Sequence, residues 1–268
     1  MPSNRQETVF IWSAWHWSPT SSTPDAIPPP LLSYDSDTVM QKILALNSSI
    51  SAIFENPSIQ QKFMAYWKAA AKAELLGGKV MANAPDSVRK AEAGAVSLGL
   101  REIVRIYHVE SDYYSWSYER RALRMNAPSI NHLCKTLFFE NTRHTTPAKN
   151  NDILAKNNSK YYAVIVQYAA KLNTTKLTNF VRALSNGSKK NYNLRVASEK
   201  ESDEYTGFKT GGVTPFGMTR NVPVILSRAI LNLTPRVFYL GCGHVEWKIA
   251  CPVDDFVHAT GCFVADLE

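Results

Sequence analysis

A lysine inside an apolar segment is the first residue in this sequence whose chemistry needs an explanation. Lys135 lies in the predicted strand 132–140. Alternation along a strand places its side chain on one face with the apolar residues Leu133, Leu137 and Phe139. An unpaired ammonium is costly to bury, so such a lysine lies either at a strand end facing water or in a polar pocket with an anionic partner. The pattern leaves both alternatives open.

A loop over residues 206–217 is the second candidate, because it concentrates turn-forming residues. Gly211 and Gly212 permit backbone angles that side chains forbid, and Pro215 fixes its own φ and restricts Thr214 before it. Because glycine has no side chain to block the approach of a ligand, the backbone N–H groups of such a loop can form a binding pocket. A tight connection between two strands is the alternative interpretation.

An aromatic cluster precedes both features. It consists of Tyr113, Tyr114, Trp116 and Tyr118. It is interpreted either as surface packing or as a wall for a base or an amino-acid side chain.

Motifs of other enzyme classes are absent from the sequence. We find no Gly-x-Ser-x-Gly, no His-Glu-x-x-His and no Walker loop, and Cys134 has no evident partner histidine. The four cysteines form no Cys-x-x-Cys pair, so buried thiols are the plain interpretation and a metal site or disulfide framework is disfavoured. We therefore expect neither a metal nor another cofactor.

Length and charge narrow the class of protein. The 268 residues suit one large domain, or one domain with an extension. No apolar run approaches the roughly 20 residues that span a bilayer, and the N-terminus does not resemble a signal peptide, so we expect a cytoplasmic protein without a membrane partner. The net charge of +7 suits a phosphate-bearing partner such as RNA, although charge alone is a weak signal.

Residue periodicity predicts the elements that position the candidates. Helices are expected over 39–54, 57–77, 86–98, 118–125 and 173–187, with short ones at 197–204 and 252–257. Strands are expected over 103–109, 132–140, 161–168, 194–196, 222–226, 236–240, 245–249 (half-buried) and 262–267. This order predicts an α/β (α+β) body around a mixed β-sheet with flanking helices, over residues 86–268. Residues 1–85 are an N-terminal extension, with a Pro-rich irregular segment over 1–36 and then two helices.

Three landmarks stand in a fixed order along the body. They are the strand residues 135–137, the loop that runs through 211–217, and the hairpin 238–243. Together they resemble the YbaK/ProX superfamily of aminoacyl-tRNA deacylases, which is related to the editing domain of bacterial prolyl-tRNA synthetases. The resemblance extends over about residues 86–268.

The resemblance implies a trans-acting editing protein that hydrolyses the ester of a mischarged tRNA, with a small amino acid on a proline-type tRNA as the expected substrate. The implied partner is the tRNA 3′ acceptor end, with an aminoacyl-tRNA synthetase as a further candidate. An aminoacyl ester is activated, so positioning and oxyanion stabilisation suffice without a triad. The implied catalytic residues are Lys135, Gly211 and Pro215. The implied substrate-binding residues are Gly212, Thr214, Tyr118, Gly241 and His244.

The sequence departs from the family pattern at three positions. Gly241 stands where a hairpin serine is expected, Lys248 where an aspartate is expected, and Val109 where a first-strand tyrosine is expected. These changes alter the polarity of the pocket. Two alternatives to an enzyme therefore stay open: a tRNA- or synthetase-binding module without turnover, and a small-molecule-binding domain without an RNA partner.

Overall fold

The computed structural model describes residues 55–77, 81, 83–145 and 153–268, together with isolated positions between 42 and 53. The irregular segment predicted over 1–36 and most of the helix predicted over 39–54 lie outside the described residues. No helix within the described part of the chain is both long enough and apolar enough to cross a membrane.

The described residues contain seven α-helices. They are α1 (Pro57–Gly77), α2 (Asp86–Ser97), α3 (Tyr118–Arg124), α4 (Thr174–Ser185), α5 (Glu199–Thr206), α6 (Arg228–Leu231) and α7 (Val253–Thr260). The predicted cap of α4 is confirmed, because the Asn173 side chain accepts hydrogen bonds from the backbone amides of Thr175 and Lys176. Ser198 and Glu201 form a capping box that starts α5. The short α6 was not predicted.

Eight strands form two sheets in the described part of the chain. The strands are β1 (Arg105–His108), β2 (Cys134–Asn141), β3 (Tyr161–Gln167), β4 (Leu194–Val196), β5 (Val224–Ser227), β6 (Val237–Gly241), β7 (Trp247–Pro252) and β8 (Phe263–Ala265). One sheet has the order β4-β2-β3-β5-β8 and mixes antiparallel and parallel pairs. The other has the antiparallel order β1-β7-β6. The predicted mixed α/β class is confirmed, with the strands divided between two sheets that an isolated bridge from Leu133 to Tyr239 connects.

The prediction that the strand at 245–249 is half-buried is wrong. Every residue of β7 is buried. The reason is its position, since β7 lies between β1 and β6 in its sheet and apolar residues cover both faces. Lys248, expected on a solvent face, is therefore only 5% exposed.

The largest apolar cluster brings α2 and α7 together with β6 and β7. Phe208 and Phe216, from the two ends of the glycine loop, are buried in this cluster. Phe216 packs edge-on against Phe256 of α7, with ring centroids 5.6 Å apart. The loop is thus held by apolar packing at both ends.

Helix α1 packs on the body of the chain. Trp67 is 4% exposed, its indole N–H donates to the Ile103 carbonyl at 3.1 Å, and its ring meets Tyr239 edge-on at 6.2 Å. Lys68 also pairs with Asp255 at 2.8 Å. The domain boundary after residue 85 stays a prediction, and these are the contacts that such a boundary divides.

Candidate functional site

A cavity of about 340 Å³ lies where the first half of β2 meets the glycine loop. Its lining includes Lys135, Gly211 and Gly241, which are three of the eight residues named from the sequence. Lys135 and Gly211 are 76 positions apart in the chain, so only the tertiary fold brings them together. The structure therefore brings these two sequence candidates to one cavity.

Lys135 is the second residue of β2 and is partly buried. Its ammonium lies 5.5 Å from the centroid of the Tyr168 ring, a cation–π contact. No described carboxylate pairs with this ammonium, and no described acceptor takes a hydrogen bond from it. Both sequence alternatives are thus partly met: the lysine lies near a strand end and in a pocket, without an anionic partner. Such a cation is free to bind an anionic group of a ligand.

A chain of hydroxyl contacts forms one wall of the cavity. The Tyr114 hydroxyl donates to the Gly211 carbonyl at 3.4 Å and lies 3.5 Å from the Tyr168 hydroxyl. Behind it, the Lys248 ammonium donates to the Tyr114 hydroxyl at 3.3 Å and also to the Val245 carbonyl. Lys248 is thereby connected through Tyr114 to the loop residue that lines the cavity.

Burial shifts the pKa values of two residues in this chain of contacts, Tyr168 and Lys248. It raises the pKa of Tyr168 far above that of a free tyrosine, and the neighbouring Tyr114 raises it further. Burial also lowers the pKa of Lys248, and the Tyr114 hydroxyl partly offsets that effect. Tyr168 therefore stays a hydrogen-bond donor at neutral pH.

Arg121 supports the same wall from α3. It is 8% exposed, and its guanidinium donates to the backbone carbonyls of Trp116 (3.0 Å) and Tyr114. The guanidinium carbon lies within 6.0 Å of four tyrosine ring centroids, those of Tyr113, Tyr114, Tyr118 and Tyr168. Lys135 lines the cavity, and Arg121 and Lys248 lie behind its tyrosine wall, so the positive charge on this side favours a ligand that carries negative charge.

The glycine loop makes a tight turn at the cavity. The Gly212 amide donates to the Lys209 carbonyl at 2.9 Å, and Gly211 has a φ of +84°, as a type II turn requires at its third position. Because the Gly212 amide is occupied, it cannot serve a bound carbonyl. The Gly211 amide has no acceptor among the described residues. Of these two amides, it is therefore the one that can donate to a bound carbonyl.

The hairpin between β6 and β7 closes the other side of this loop. The Gly243 amide donates to the Gly212 carbonyl at 2.9 Å. A Cβ on Gly241 would lie 3.3 Å from the Val213 carbonyl oxygen, closer than most such contacts. The hairpin therefore fixes the loop by backbone contacts.

The other residues named from the sequence do not line the cavity. Pro215 and Thr214 are buried behind the loop, and the Thr214 hydroxyl has no hydrogen-bond partner among the described residues. Tyr118 lies beside the cavity, with its ring 5.8 Å from that of Tyr168. His244 accepts a hydrogen bond from the Glu246 amide at 3.3 Å within the hairpin. Their predicted roles in catalysis or binding stay predictions.

Some cavity residues escaped the sequence analysis. The predicted aromatic wall contains Tyr114 but does not extend to Tyr168, which directly follows β3. Thr136 has a buried hydroxyl without a described partner, and Glu199 brings a carboxylate from the first turn of α5. A polar residue at the end of an apolar strand was the only sequence signal for Tyr168.

The arrangement offers an ammonium and an amide that have no hydrogen-bond partner among the described residues, together with hydroxyl donors, around a space of small-ligand size. Such groups can bind a phosphate or ribose and stabilise an oxyanion. The described residues contain no cluster of three or more His, Cys, Asp or Glu side chains that could hold a metal ion. The thiol of Cys134 is not an evident nucleophile, because burial raises its pKa.

A comparison with known protein families matches about half of the chain to one family. Residues 120–257 match the family described as "Aminoacyl-tRNA editing domain". No curated protein matches the chain.

Solved structures share the fold. A candidate trans-editing enzyme for prolyl tRNA synthetase is 20% identical, with a TM-score of 0.55, over 69% of this chain and 99% of that one. A scaffold protein used in epitope backbone grafting is 17% identical, with a TM-score of 0.54, over the same shares of the two chains. At these identities the likeness concerns the fold alone.

Proposed function

The chain belongs to the family of aminoacyl-tRNA editing domains, and on that premise we propose that it is a trans-acting deacylase for mischarged tRNA. The proposed substrate is a small amino acid esterified to a proline-type tRNA. The observation that carries the proposal is the shared cavity: the Lys135 ammonium, which has no described anionic partner, and the Gly211 turn line one space of about 340 Å³. That volume lies at the small end of ligand clefts, which suits a small aminoacyl group with its ribose.

The proposed reaction is ester hydrolysis. A water molecule attacks the carbonyl carbon, the bond from that carbon to the ribose oxygen breaks, and the ribose hydroxyl and the free amino acid are released. Lys135 binds the phosphate or ribose of the 3′ end and so fixes the ester in place. The amide of Gly211 donates to the carbonyl oxygen as negative charge develops there.

The remaining polar groups of the cavity position the aminoacyl part. Glu199, a carboxylate in the lining, accepts a hydrogen bond from the Thr210 hydroxyl at 3.1 Å, and its other oxygen is proposed to bind the α-ammonium group of the amino acid. Thr136 offers a hydroxyl that lacks a described partner, and buried polar groups of this kind are expected to find one in the complex. Pro215 and Thr214 are proposed to shape the loop from behind.

A binding module without turnover is the second candidate. The hairpin position 241 carries no side chain, so the hydroxyl expected there is missing from the cavity. The same cations would then hold the tRNA end or a synthetase-bound tRNA without hydrolysis.

A panel of mischarged tRNAs separates the two. Alanine, cysteine, serine and threonine are each charged on proline-type and other tRNAs and incubated with the chain, and released amino acid is counted. Accelerated release from one subset is the expected result. Binding that depends on salt but causes no release supports the module. Binding that does not weaken as salt rises contradicts the phosphate contacts on which both depend.

A further inference from the structure

A second cavity, of about 650 Å³, lies at the opposite end of β2 from the candidate active site. We name it the basic groove. Four of its lining residues carry positive charge: Arg143, Arg182, Lys189 and Lys190. Among the described residues, the lining contains no aspartate or glutamate.

The four cations lack anionic partners in the described part of the chain. Neighbouring cations are paired: Lys160 and Arg195 both contact Glu140, at 3.4 and 3.1 Å, and Lys176 contacts Asp266 at 2.7 Å. By contrast, no described carboxylate lies within ion-pair distance of any cation of the basic groove. Their charge is therefore available to an external anion.

One buried side chain, outside the lining itself, holds part of the basic groove in place. Asn141, the last residue of β2, is 1% exposed and donates to the Asn191 carbonyl at 2.9 Å. Its side-chain oxygen accepts from the Asn193 amide, also at 2.9 Å. This fixes the turn that carries Lys189 and Lys190 to the end of the strand. The cations thus project from a fixed frame.

The frame also connects the basic groove to the active site. Strand β2 carries Lys135 near its start and ends at Asn141, about 20 Å away at the rise of an extended strand. The three-residue strand β4 pairs with the last three residues of β2 and contributes to both cavities: Leu194 lines the groove and Val196 lines the active-site cavity. One ligand can therefore reach both cavities along this edge of the sheet.

We infer that the basic groove binds the sugar-phosphate backbone of the tRNA several nucleotides away from the 3′ end that enters the active site. This inference rests on the proposed function and adds a second contact for the same partner. A row of cations with hydroxyl and amide neighbours, and no apolar pocket, matches a phosphodiester chain. A lipid surface would need exposed apolar side chains, and the apolar residues of this lining, Tyr192 and Leu194, are buried.

The test removes three charges from the groove and compares a matched control. The groove variant is Arg182→Gln, Lys189→Gln, Lys190→Gln, and the control is Lys62→Gln, Arg220→Gln, Arg228→Gln, three exposed cations outside both cavities. Binding of uncharged tRNA to the full chain is measured between 50 and 200 mM salt. In addition, deacylation is measured on mischarged tRNA and on a short aminoacylated CCA oligonucleotide.

The groove variant is expected to bind tRNA more weakly, with a log–log salt slope shallower by about three. Over that salt range the parent should lose roughly 40-fold more affinity than the groove variant. The control should keep the salt slope of the parent. All three proteins should deacylate the short aminoacylated oligonucleotide at the same rate.

A groove variant with the slope of the control overturns the inference, as does an equal loss of activity on tRNA and on the oligonucleotide. Failure of the proposed function is distinguishable. If the parent binds tRNA but releases no amino acid from any substrate, the deacylase proposal fails, while the salt slopes still decide where the backbone binds.

Discussion

Lys248 is a buried ammonium without a carboxylate partner among the described residues. Its hydrogen bonds go to the Tyr114 hydroxyl and the Val245 carbonyl, both neutral, and the nearby Arg121 is a second cation. Neutral acceptors offset only part of the cost of removing an ammonium from water. The position next to Tyr114 indicates that this cost is tolerated in order to hold the hydroxyl against the Gly211 carbonyl.

Replacing Lys248 by Met tests this account through the pH dependence of stability. Burial lowers the folded-state pKa of Lys248 below the 10.5 of an unperturbed lysine, so between those two values the unfolded chain holds a proton that the folded chain has lost. The free energy of unfolding of the parent should therefore rise with pH, relative to Lys248→Met, as pH approaches 10.5. Urea unfolding at neutral pH and at several alkaline values measures the difference. Parallel curves for parent and variant would show that the pKa of Lys248 is the same in both states.

At the scale of elements, α2 fixes the glycine loop by close backbone contact. A Cβ built on Gly94 would overlap the backbone nitrogen of Gly217 at the end of the loop. Neither backbone can move without disturbing the apolar cluster that contains Phe216 and Ala91. The small residue at position 94 is thus what permits the helix and the loop to touch.

Gly94→Ala is predicted to destabilise the protein by roughly 2–4 kcal/mol, because an added methyl group in a tight backbone contact forces a shift. The sign is informative, since Gly→Ala in a free helix interior stabilises by about 1 kcal/mol. Chemical denaturation measures the change, with Val96→Ala at a 58% exposed site on the same helix as the control. A Gly94→Ala protein as stable as the parent would contradict the close contact.

The sequence could predict most elements, because their signals are local. The Asn173 cap, the apolar run that forms β3 and the helix that begins at Pro57 are read from a few adjacent residues. The burial of Lys248 could not be read in this way, because it depends on β1 and β6 pairing on either side of β7. Alternation within one strand cannot show how many neighbours that strand has.

The candidate site likewise contains some residues that the sequence could identify and others that it could not. Lys135 and Gly211 were found because each is unusual in its own segment, and the family resemblance placed them together. Tyr168 and Glu199 are ordinary in their segments and gain significance only from the cavity they share. The Lys248–Tyr114 contact joins residues 134 positions apart and left no local signal.

At the scale of the whole molecule, cations without a described anionic partner line two cavities near opposite ends of one strand. Lys135 lies at one end of β2, and the basic groove lies at the other. A net charge of +7 attracts RNA in general, whereas two cavities on one strand define an orientation for it. We therefore propose that the tRNA 3′ end binds in the first cavity and its backbone in the second.

A truncated chain tests what the N-terminal residues contribute to the whole molecule. A chain that starts at Asp86 is predicted to fold and to keep the site, because the cavity is built from later residues. It should be less stable than the parent, since removing Trp67 uncovers Tyr239 and buried aromatic residues contribute roughly 3–5 kcal/mol. Thermal unfolding of both chains measures the loss. An insoluble or non-cooperative truncated chain would show that α1 completes the core.

The central claim is that Lys135 acts on the end of a charged tRNA, and single-turnover deacylation tests it most directly. The parent, Lys135→Ala and the control Lys62→Ala, an exposed lysine on α1, are compared on the mischarged tRNA that the parent hydrolyses best. Losing a charged contact worth about 1.5–3 kcal/mol should slow Lys135→Ala roughly ten- to a hundredfold, with unchanged thermal unfolding, while the control matches the parent. Deacylation by Lys135→Ala at the parent rate would contradict the account.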